Sequence, residues 1–323
     1  MPSEARAARA PFAHHHELLL LVVLFLVVAV LGVSTSNFLT AGNVLNQGRL
    51  MTEVALVALP MTYIIITGGI DLSVGSIMGL CAIMLGIAWD SLGLPLELAI
   101  VFAISVGAAA GFFNGLMIVL LRVPPLIMTL ATLALYRGLA EGISQARSVR
   151  GYPEWFFVFG QGEVFGVPTQ LWILLVAVIL FWIVLARTAF GRSLYAIGFN
   201  EEAARFSGIP VARVKLIIYS LSGMMAGLAG AIFVSRVSTT RSDMGSGLEL
   251  DAIAAVVLGG TSIFGGVGTI AGTVIGFTLI QLLKNGLALS GVKGDATIVV
   301  IGAVLILSIL VSNFLQRRRG AVA

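Results

Sequence analysis

The chain has 323 residues, of which 59% are hydrophobic and only 11% charged, against roughly 25% charged and 45–50% apolar in an average soluble domain. So little polar side chain cannot cover a soluble globule, and a disordered chain lacks this apolar mass. The formal charge of +4, from 19 basic and 15 acidic residues, bears on membrane orientation rather than on nucleic acid, because Lys and Arg favour the cytoplasmic side.

At about 20 residues per membrane-spanning helix, ten spans use roughly 200 residues and leave short loops. An all-α polytopic membrane protein is expected. Residues 1–17 read as a cytoplasmic tail carrying Arg6 and Arg9, and His14, His15 and His16 in it as a loose interfacial stretch rather than a metal site. Leu18 to Val33 is apolar with no clear small-residue cleavage site behind it, so it reads as a first, uncleaved span. Apolar runs punctuated by Gly, Pro and charge then place spans at 18–36, 50–67, 76–90, 96–121, 125–140, 170–186, 214–234, 250–264, 268–284 and 296–314. Together 18–314 form one membrane domain, and 315–323 a basic tail with Arg317, Arg318 and Arg319. With both ends inside, inner segments hold 11 of the 19 basic residues and outer segments 8, so the expected topology is N-in and C-in.

The outer loop 141–169 holds Tyr152, Trp155, Phe156, Phe157 and Phe159, aromatics suited to a segment lying at the membrane interface. Gly107, Gly111 and Gly115 fall four apart on span four, and Gly268, Gly272 and Gly276 on span nine. Each triplet offers a face on which a neighbouring helix can approach closely. If spans 2–5 and 7–10 are inverted repeats, as in many transporters, spans four and nine are counterparts.

Chemistry is sparse. No phosphate-binding Gly-x-x-x-x-Gly-Lys-Ser/Thr loop is present, so the chain does not bind ATP in that manner. His-Glu-x-x-His and Gly-x-Ser-x-Gly are absent too. Gly266-Val267-Gly268-Thr269-Ile270-Ala271 loosely matches a dinucleotide loop but lies between two spans, where it reads as a glycine-rich break. The single cysteine, Cys81, excludes an intramolecular disulfide and a cysteine metal cluster, and its apolar neighbours make it a packed thiol. No enzyme and no cofactor are expected.

Buried charge is costly and usually functional in a membrane, which singles out Glu53, Glu249 and Asp251, each near a span end. Glu249 and Asp251 stand two residues apart at the outer mouth of span eight, off one helix face, and read as an interfacial pair reaching water. A carboxylate at mid-membrane, expected of an ion-coupled carrier, is not evident. Gly68-Gly69-Ile70-Asp71-Leu72-Ser73-Val74-Gly75-Ser76 breaks two spans. Such backbone survives at membrane depth only where protein or water satisfies it. Asp71 and Ser73 can cap the following helix, which leaves room for a second role at a protein interface.

The inner loop 187–213 carries Asn200 as a helix N-cap, Glu201 and Glu202 in a first turn, and Gly208 with Pro210 as a stop. That is a two-turn helix, too short to be stable alone, with Phe206 and Ile209 for apolar contacts. A membrane protein without an engine, showing a docking helix, points to an engine in another subunit.

Segment 68–76 resembles the hallmark of the sugar-importing ABC permeases of the ribose, rhamnose and autoinducer-2 group. So do Pro-Pro-Leu-Ile-Met-Thr-Leu-Ala-Thr at 124–132 and Ala-Ile-Ala-Ala-Val-Val-Leu-Gly-Gly-Thr-Ser-Ile-Phe-Gly-Gly at 252–266. Gly-Arg-Ser-Leu-Tyr-Ala-Ile-Gly-Phe-Asn at 191–200 and Glu-Ala-Ala-Arg-Phe-Ser-Gly-Ile at 202–209 are similar to the group's cytoplasmic coupling loop. The likeness runs from about 40 to 312. Phe199 stands where the group usually has glycine, and Val267 where it has Arg or Lys. Arg241-Ser242-Asp243-Met244-Gly245 and Ala58-Leu59-Pro60 most resemble the autoinducer-2 and rhamnose branch.

The resemblance implies the permease subunit of an ATP-driven importer in a bacterial inner membrane, carrying a sugar or sugar-like signal. Its implied partners are a dimer of ATP-binding subunits that uses ATP and Mg, a second permease copy or relative, and a periplasmic sugar-binding protein. The coupling residues would be Asn200, Glu201, Glu202, Ala203, Ala204, Arg205, Phe206, Ser207 and Gly208, and the family-motif loop Gly68, Gly69, Asp71, Ser73 and Gly75. Asn114, Thr129, Thr132 and Asn285 are candidates to line the path, and Arg241, Asp243, Glu249 and Asp251 to form the outer mouth. The competing expectations are a stand-alone secondary carrier or facilitator for a small polar solute, which would transport alone, and a structural scaffold, which would give no flux.

Overall fold

A computed structural model describes residues 10–35 and 37–292, with Gly294, Ala296, Thr297, Val299, Gly302, Ala303 and Ile306 beyond them. The predicted tenth span falls almost wholly outside the described residues, as do the basic tail and residues 1–9.

In chain order the helices are α1 (Ala10–Ser34), α2 (Ala41–Ile66), α3 (Val74–Asp90), α4 (Leu96–Leu120) and α5 (Pro125–Ser144). A 3-10 turn (Glu154–Phe159) and a hairpin of β1 (Glu163–Val164) and β2 (Val167–Pro168) follow. The chain continues through α6 (Thr169–Arg187), α7 (Ala189–Phe199), α8 (Glu201–Phe206), α9 (Val211–Val237), α10 (Leu248–Leu258) and α11 (Ile270–Leu289). Starts are set by caps and prolines. Thr40 accepts from the Asn43 N–H, Thr188 from Gly191 and Thr269 from Gly272, satisfying donors a first turn leaves open. Pro95, Pro124 and Pro168 precede α4, α5 and α6.

Among the described residues six helices, α2, α4, α5, α6, α9 and α11, are long and apolar enough to cross a membrane. The apolar window of α2 is 78% buried and that of α5 only 22%, so α2 is a central post and α5 lies at the periphery. Around α2 pack α9, α10, α11 and α6, with α4 laid along α9 and α3 set against α4, α5 and α9.

The α4–α9 contact is the most extensive in the bundle. A Cβ at Gly107 or Gly111 would overlap the carbonyls of Gly223 and Tyr219, and one at Gly223 the carbonyl of Gly107. Backbones can meet like this only where side chains are absent. The triplet on the ninth span has a different partner: Gly272 and Gly276 lie against Gly259 and Ala255 of α10, and Gly268 precedes its helix. The two triplets do not meet equivalent neighbours.

The predicted eighth span, 250–264, needs correction. Only Leu248–Leu258 is helical, 11 residues that rise about 16 Å. Gly245, Gly247, Gly260, Gly265 and Gly266 all take positive φ, and the helix cannot run through them. Instead residues 240–245 descend beside α3. Thr240 lies at Gly86, Ser242 and Met244 at Gly79, and Gly245 at Gly75. The broken segment and α10 together cover the depth one helix was expected to cover.

In the loop 141–169 the aromatics divide. Tyr152 and Phe156 are buried, with Tyr152 stacked on Trp89 at 6.4 Å between centroids. Trp155 and Phe159 face out. Gln161 donates to the Ser235 and Arg236 carbonyls, tying this loop to the end of α9.

Candidate functional site

The break between α2 and α3 is held by a buried polar cluster. Asp71 is fully buried. Its Oδ1 accepts from the Ser73 N–H at 3.0 Å and the Ser73 hydroxyl at 2.6 Å, and its Oδ2 from the Ser222 hydroxyl of α9 at 3.1 Å. Ser73 Oγ in turn accepts from Asn114 Nδ2 of α4 at 2.8 Å. Tyr136 of α5 donates to the Ala110 carbonyl at 2.9 Å and lies 3.2 Å from Asn114 Oδ1. Thr129 donates to the Ile70 carbonyl at 3.1 Å. Ser73 is the N-cap residue of α3 by position, but its side chain does not cap; its own N–H and hydroxyl both donate to the Asp71 carboxylate. Irregular backbone thus finds its partners inside the protein.

One turn into α3, Gly75 faces the Gly245 carbonyl and the Glu249 carboxylate. Arg137 of α5 donates to the carbonyls of Ser242 and Met244, beside Gly79. Glu249 Oε2 is buried without a hydrogen-bond partner among the described residues. Here the N-terminal turns of α3 and α10, the two helices that follow broken segments, come together.

At the end of the bundle carrying α7 and α8, three backbones converge. A Cβ at Gly198 would overlap the Ile66 carbonyl at the end of α2 and the Gly266 N–H, and that N–H donates to the same Ile66 carbonyl at 2.8 Å. One turn earlier, the Tyr195 hydroxyl donates to the Gly268 carbonyl at 2.7 Å. So α7 sits on the end of α2 and on the loop joining α10 to α11. Its Leu194 and Ile197 are buried.

The expected two-turn helix is α8. Asn200 Oδ1 caps the Ala203 N–H at 2.9 Å, and Glu201 bridges Lys215 at 2.6 Å and Arg205 at 3.2 Å. Ser207 donates to the Ala203 carbonyl, and Gly208 at φ +82° ends the helix. Ala204 is buried against the body, while Glu202 faces out. Phe206 is 90% exposed and Phe199 79%, so two large apolar rings stand off the surface at this end.

The remaining sequence candidates scatter. Arg241 and Asp243 pair with each other, exposed. Asp251 bridges Lys284 of α11 at 2.5 Å, so the expected Glu249–Asp251 interfacial pair separates into a bridged group and a buried one. Glu53 is buried and pairs with Arg236 at 2.8 Å. Asn285 exchanges two amide hydrogen bonds with Asn43 of α2, at 2.8 and 3.0 Å, and Gln281 donates to Gln47 one turn away. Thr132 turns back to the Met128 carbonyl. Of the path candidates, Asn114 and Thr129 join the Asp71 cluster, with Gly68 and Gly69 beside it in the chain, while Asn285 lies apart.

Arg137, Tyr136, Ser222, Tyr195 and Gly198 were not singled out in the sequence. Arg137 had a signal: an arginine inside a predicted span, 125–140, is by default a functional residue. Tyr195 and Gly198 lie in the segment 191–200 quoted for its resemblance, while Ser222 had no signal, since only the fold brings it to Asp71. Among the described residues no group of His, Cys, Asp and Glu is arranged to hold a metal ion.

Residues 43–309 match the family described as "Branched-chain amino acid transport system / permease component". The ribose import permease protein of Bacillus subtilis (strain 168) is 42% identical over 299 residues, covering 92% of this chain and 91% of its own. That of Escherichia coli (strain K12) is 40% identical over 296 residues, covering 89% and 91%. An autoinducer 2 import system permease protein of Yersinia enterocolitica is 38% identical over 313 residues, covering 92% and 94%. No solved structure matches the chain.

Proposed function

The chain belongs to the branched-chain amino acid transport permease family, as a multi-pass inner-membrane permease subunit of a bacterial ABC importer, and we propose that its cargo is ribose or an autoinducer-2-like polar molecule. The names and identities of its relatives support this class of cargo. Hydrolysis belongs to a separate ATPase subunit, and the permease supplies the path and its gates.

Under this reading α8 enters a cleft on the ATPase, and a second permease copy or relative completes the path. A sugar-binding protein delivers cargo at the opposite face, near Arg241 and Asp243. Ten crossings with both ends inside remain the preferred topology. Six full-length spans, the shorter apolar stretch Leu20–Ser34 of α1, the short α3, and the broken 238–258 segment support nine of them, and the apolar run 296–314 supplies the tenth. Two broken spans, α3 after 67–73 and α10 after 238–247, favour the inverted repeat.

The observation that carries the coupling role is the seating of α7 on Ile66 and Gly266, with Phe206 exposed beyond it on α8. ATP-driven closure of the partner would shift permease halves between states facing opposite sides. The test is purification of the assembled transporter from native membranes, identification of its companions, and uptake of labelled ribose and autoinducer-2. An ATPase at one to one with ribose or autoinducer-2 uptake is expected. Arg205→Ala and Gly208→Val then keep ATP hydrolysis and lose uptake. Uptake by the lone chain, or full uptake in both variants, would overturn the coupling role.

A further inference from the structure

An apolar groove opens on the outside of the bundle between α6 and α9. It encloses about 430 Å³. Ile173, Leu180 and Val184 form one wall, Leu221 and Leu228 the other, and Tyr63 of α2 the floor. The Tyr63 hydroxyl is spent on the Phe181 carbonyl at 2.5 Å, so the floor presents only its ring. From Ile173 to Val184 the groove rises about 16 Å, close to half of a hydrocarbon core about 30 Å thick. That is the depth of one leaflet.

Three arginines stand at its α8 end. Arg187 follows Val184 by three residues on the same helix face. Arg213 precedes Met224, also on the groove, by eleven residues, or three turns. Arg192 lies on the first turns of α7. All three side chains are exposed, and none forms an ion pair among the described residues. Arg187 is held over the Trp182 ring at 5.6 Å to its centroid, which orients a cation without neutralising it.

We infer that this groove binds one anionic phospholipid, with an acyl chain between α6 and α9 and its phosphate between Arg187 and Arg213. A helix of a partner subunit would need an apolar seam across the whole bilayer. This seam is one leaflet deep and ends in unpaired cations, the pattern that fits an acyl chain with an anionic headgroup. The site is separate from the α8 surface and from the Asp71 cluster, and it does not depend on the identity of the cargo.

The experiment is native mass spectrometry of the delipidated, detergent-purified permease, titrated with phosphatidylglycerol or phosphatidylcholine of identical chains. The expected result is one retained phosphatidylglycerol, bound about tenfold or more in preference to phosphatidylcholine. In Arg187→Gln/Arg213→Gln the preference falls to roughly threefold or less, on the same per-arginine scale, while sizing-column behaviour is unchanged. Leu180→Trp, at a position already facing the membrane, weakens both lipids by filling the groove. Equal retention of the two lipids by the native chain overturns the inference. So does a preference that survives loss of both arginines, or a groove substitution that leaves binding untouched.

Discussion

The Glu53–Arg236 pair offers the sharpest test of how the bundle is held. Glu53, midway along α2, has a side chain only 3% exposed, and Arg236, in the last turn of α9, one 21% exposed, with 2.8 Å between Oε1 and Nε. The guanidinium also lies over Phe233 at 4.7 Å. Removing one partner of a buried pair strands the other charge, at about 3–5 kcal/mol. Because Glu53 is the more buried of the two, Arg236→Met should cost about 3 kcal/mol or more, while Glu53→Gln should cost nearer 1 kcal/mol, since Arg236 can still reach solvent.

The double variant Glu53→Gln/Arg236→Met leaves no stranded charge and should recover at least about 2 kcal/mol of the Arg236→Met loss. The assay is thermal unfolding of the detergent-purified permease, read as the fraction surviving on a sizing column. A loss of about 3 kcal/mol lowers the midpoint of a chain this size by roughly 5 °C. If the double variant melts no higher than Arg236→Met, the two residues do not compensate each other, and the reasoning from burial fails.

Gly198→Val should leave the permease folded and bound to its ATPase but abolish uptake, because the added Cβ displaces α7 from the Ile66 carbonyl; normal uptake in the assembled transporter would contradict it. Tyr219 and Tyr136 should respond oppositely to loss of their hydroxyls in the same melting assay. Tyr219→Phe removes a buried hydroxyl with no partner among the described residues and should be neutral or stabilising, whereas Tyr136→Phe removes a buried hydrogen bond to the Ala110 carbonyl and a contact with Asn114 and should cost about 1 kcal/mol. Asn43→Ala and Asn285→Ala should couple by roughly 0.6–1.7 kcal/mol in a double-variant cycle, the range for interhelical hydrogen bonds in membranes; additive losses would show the amide pair to be incidental.

Local chemistry was legible in the sequence, and contacts across the fold were not. The small helix α8 follows from Asn200, two acidic residues and Gly208, and it runs Glu201–Phe206 with Asn200 as its cap, because capping is settled within one turn. The apolar runs give α2, α4, α5, α6, α9 and α11 for the same reason. The eighth span misled because hydropathy counts apolar residues, while helix continuity depends on the φ values that Gly259 to Gly266 permit. The segment 187–200 reads as loop beside the docking helix, yet Ala189–Phe199 forms α7 once Leu194 and Ile197 find a core to enter. Asp71 was visible as an acid in a glycine-rich break; that Ser222, 151 residues on, completes its shell is set by the close α4–α9 contact that brings α9 to it.

Those long-range contacts divide the bundle in a way that bears on the proposed coupling. The Asp71 cluster binds the start of α3 to α4, α5 and α9 through side-chain hydrogen bonds. On the other side, the Asn43–Asn285 and Gln47–Gln281 bonds and the Asp251–Lys284 bridge join α2, α10 and α11. Packed groups of this kind shift between discrete arrangements rather than deform smoothly. The α7 helix reaches the second group at three points, through Tyr195 to Gly268 and through Gly198 to Ile66 and Gly266, while α8 leans on the base of α9 through Glu201 and Lys215. A force applied at Phe206 is therefore delivered to both groups at once, by close backbone contact on one side and by the Glu201–Lys215 ion pair with the packing of α7 and α8 on α9 on the other.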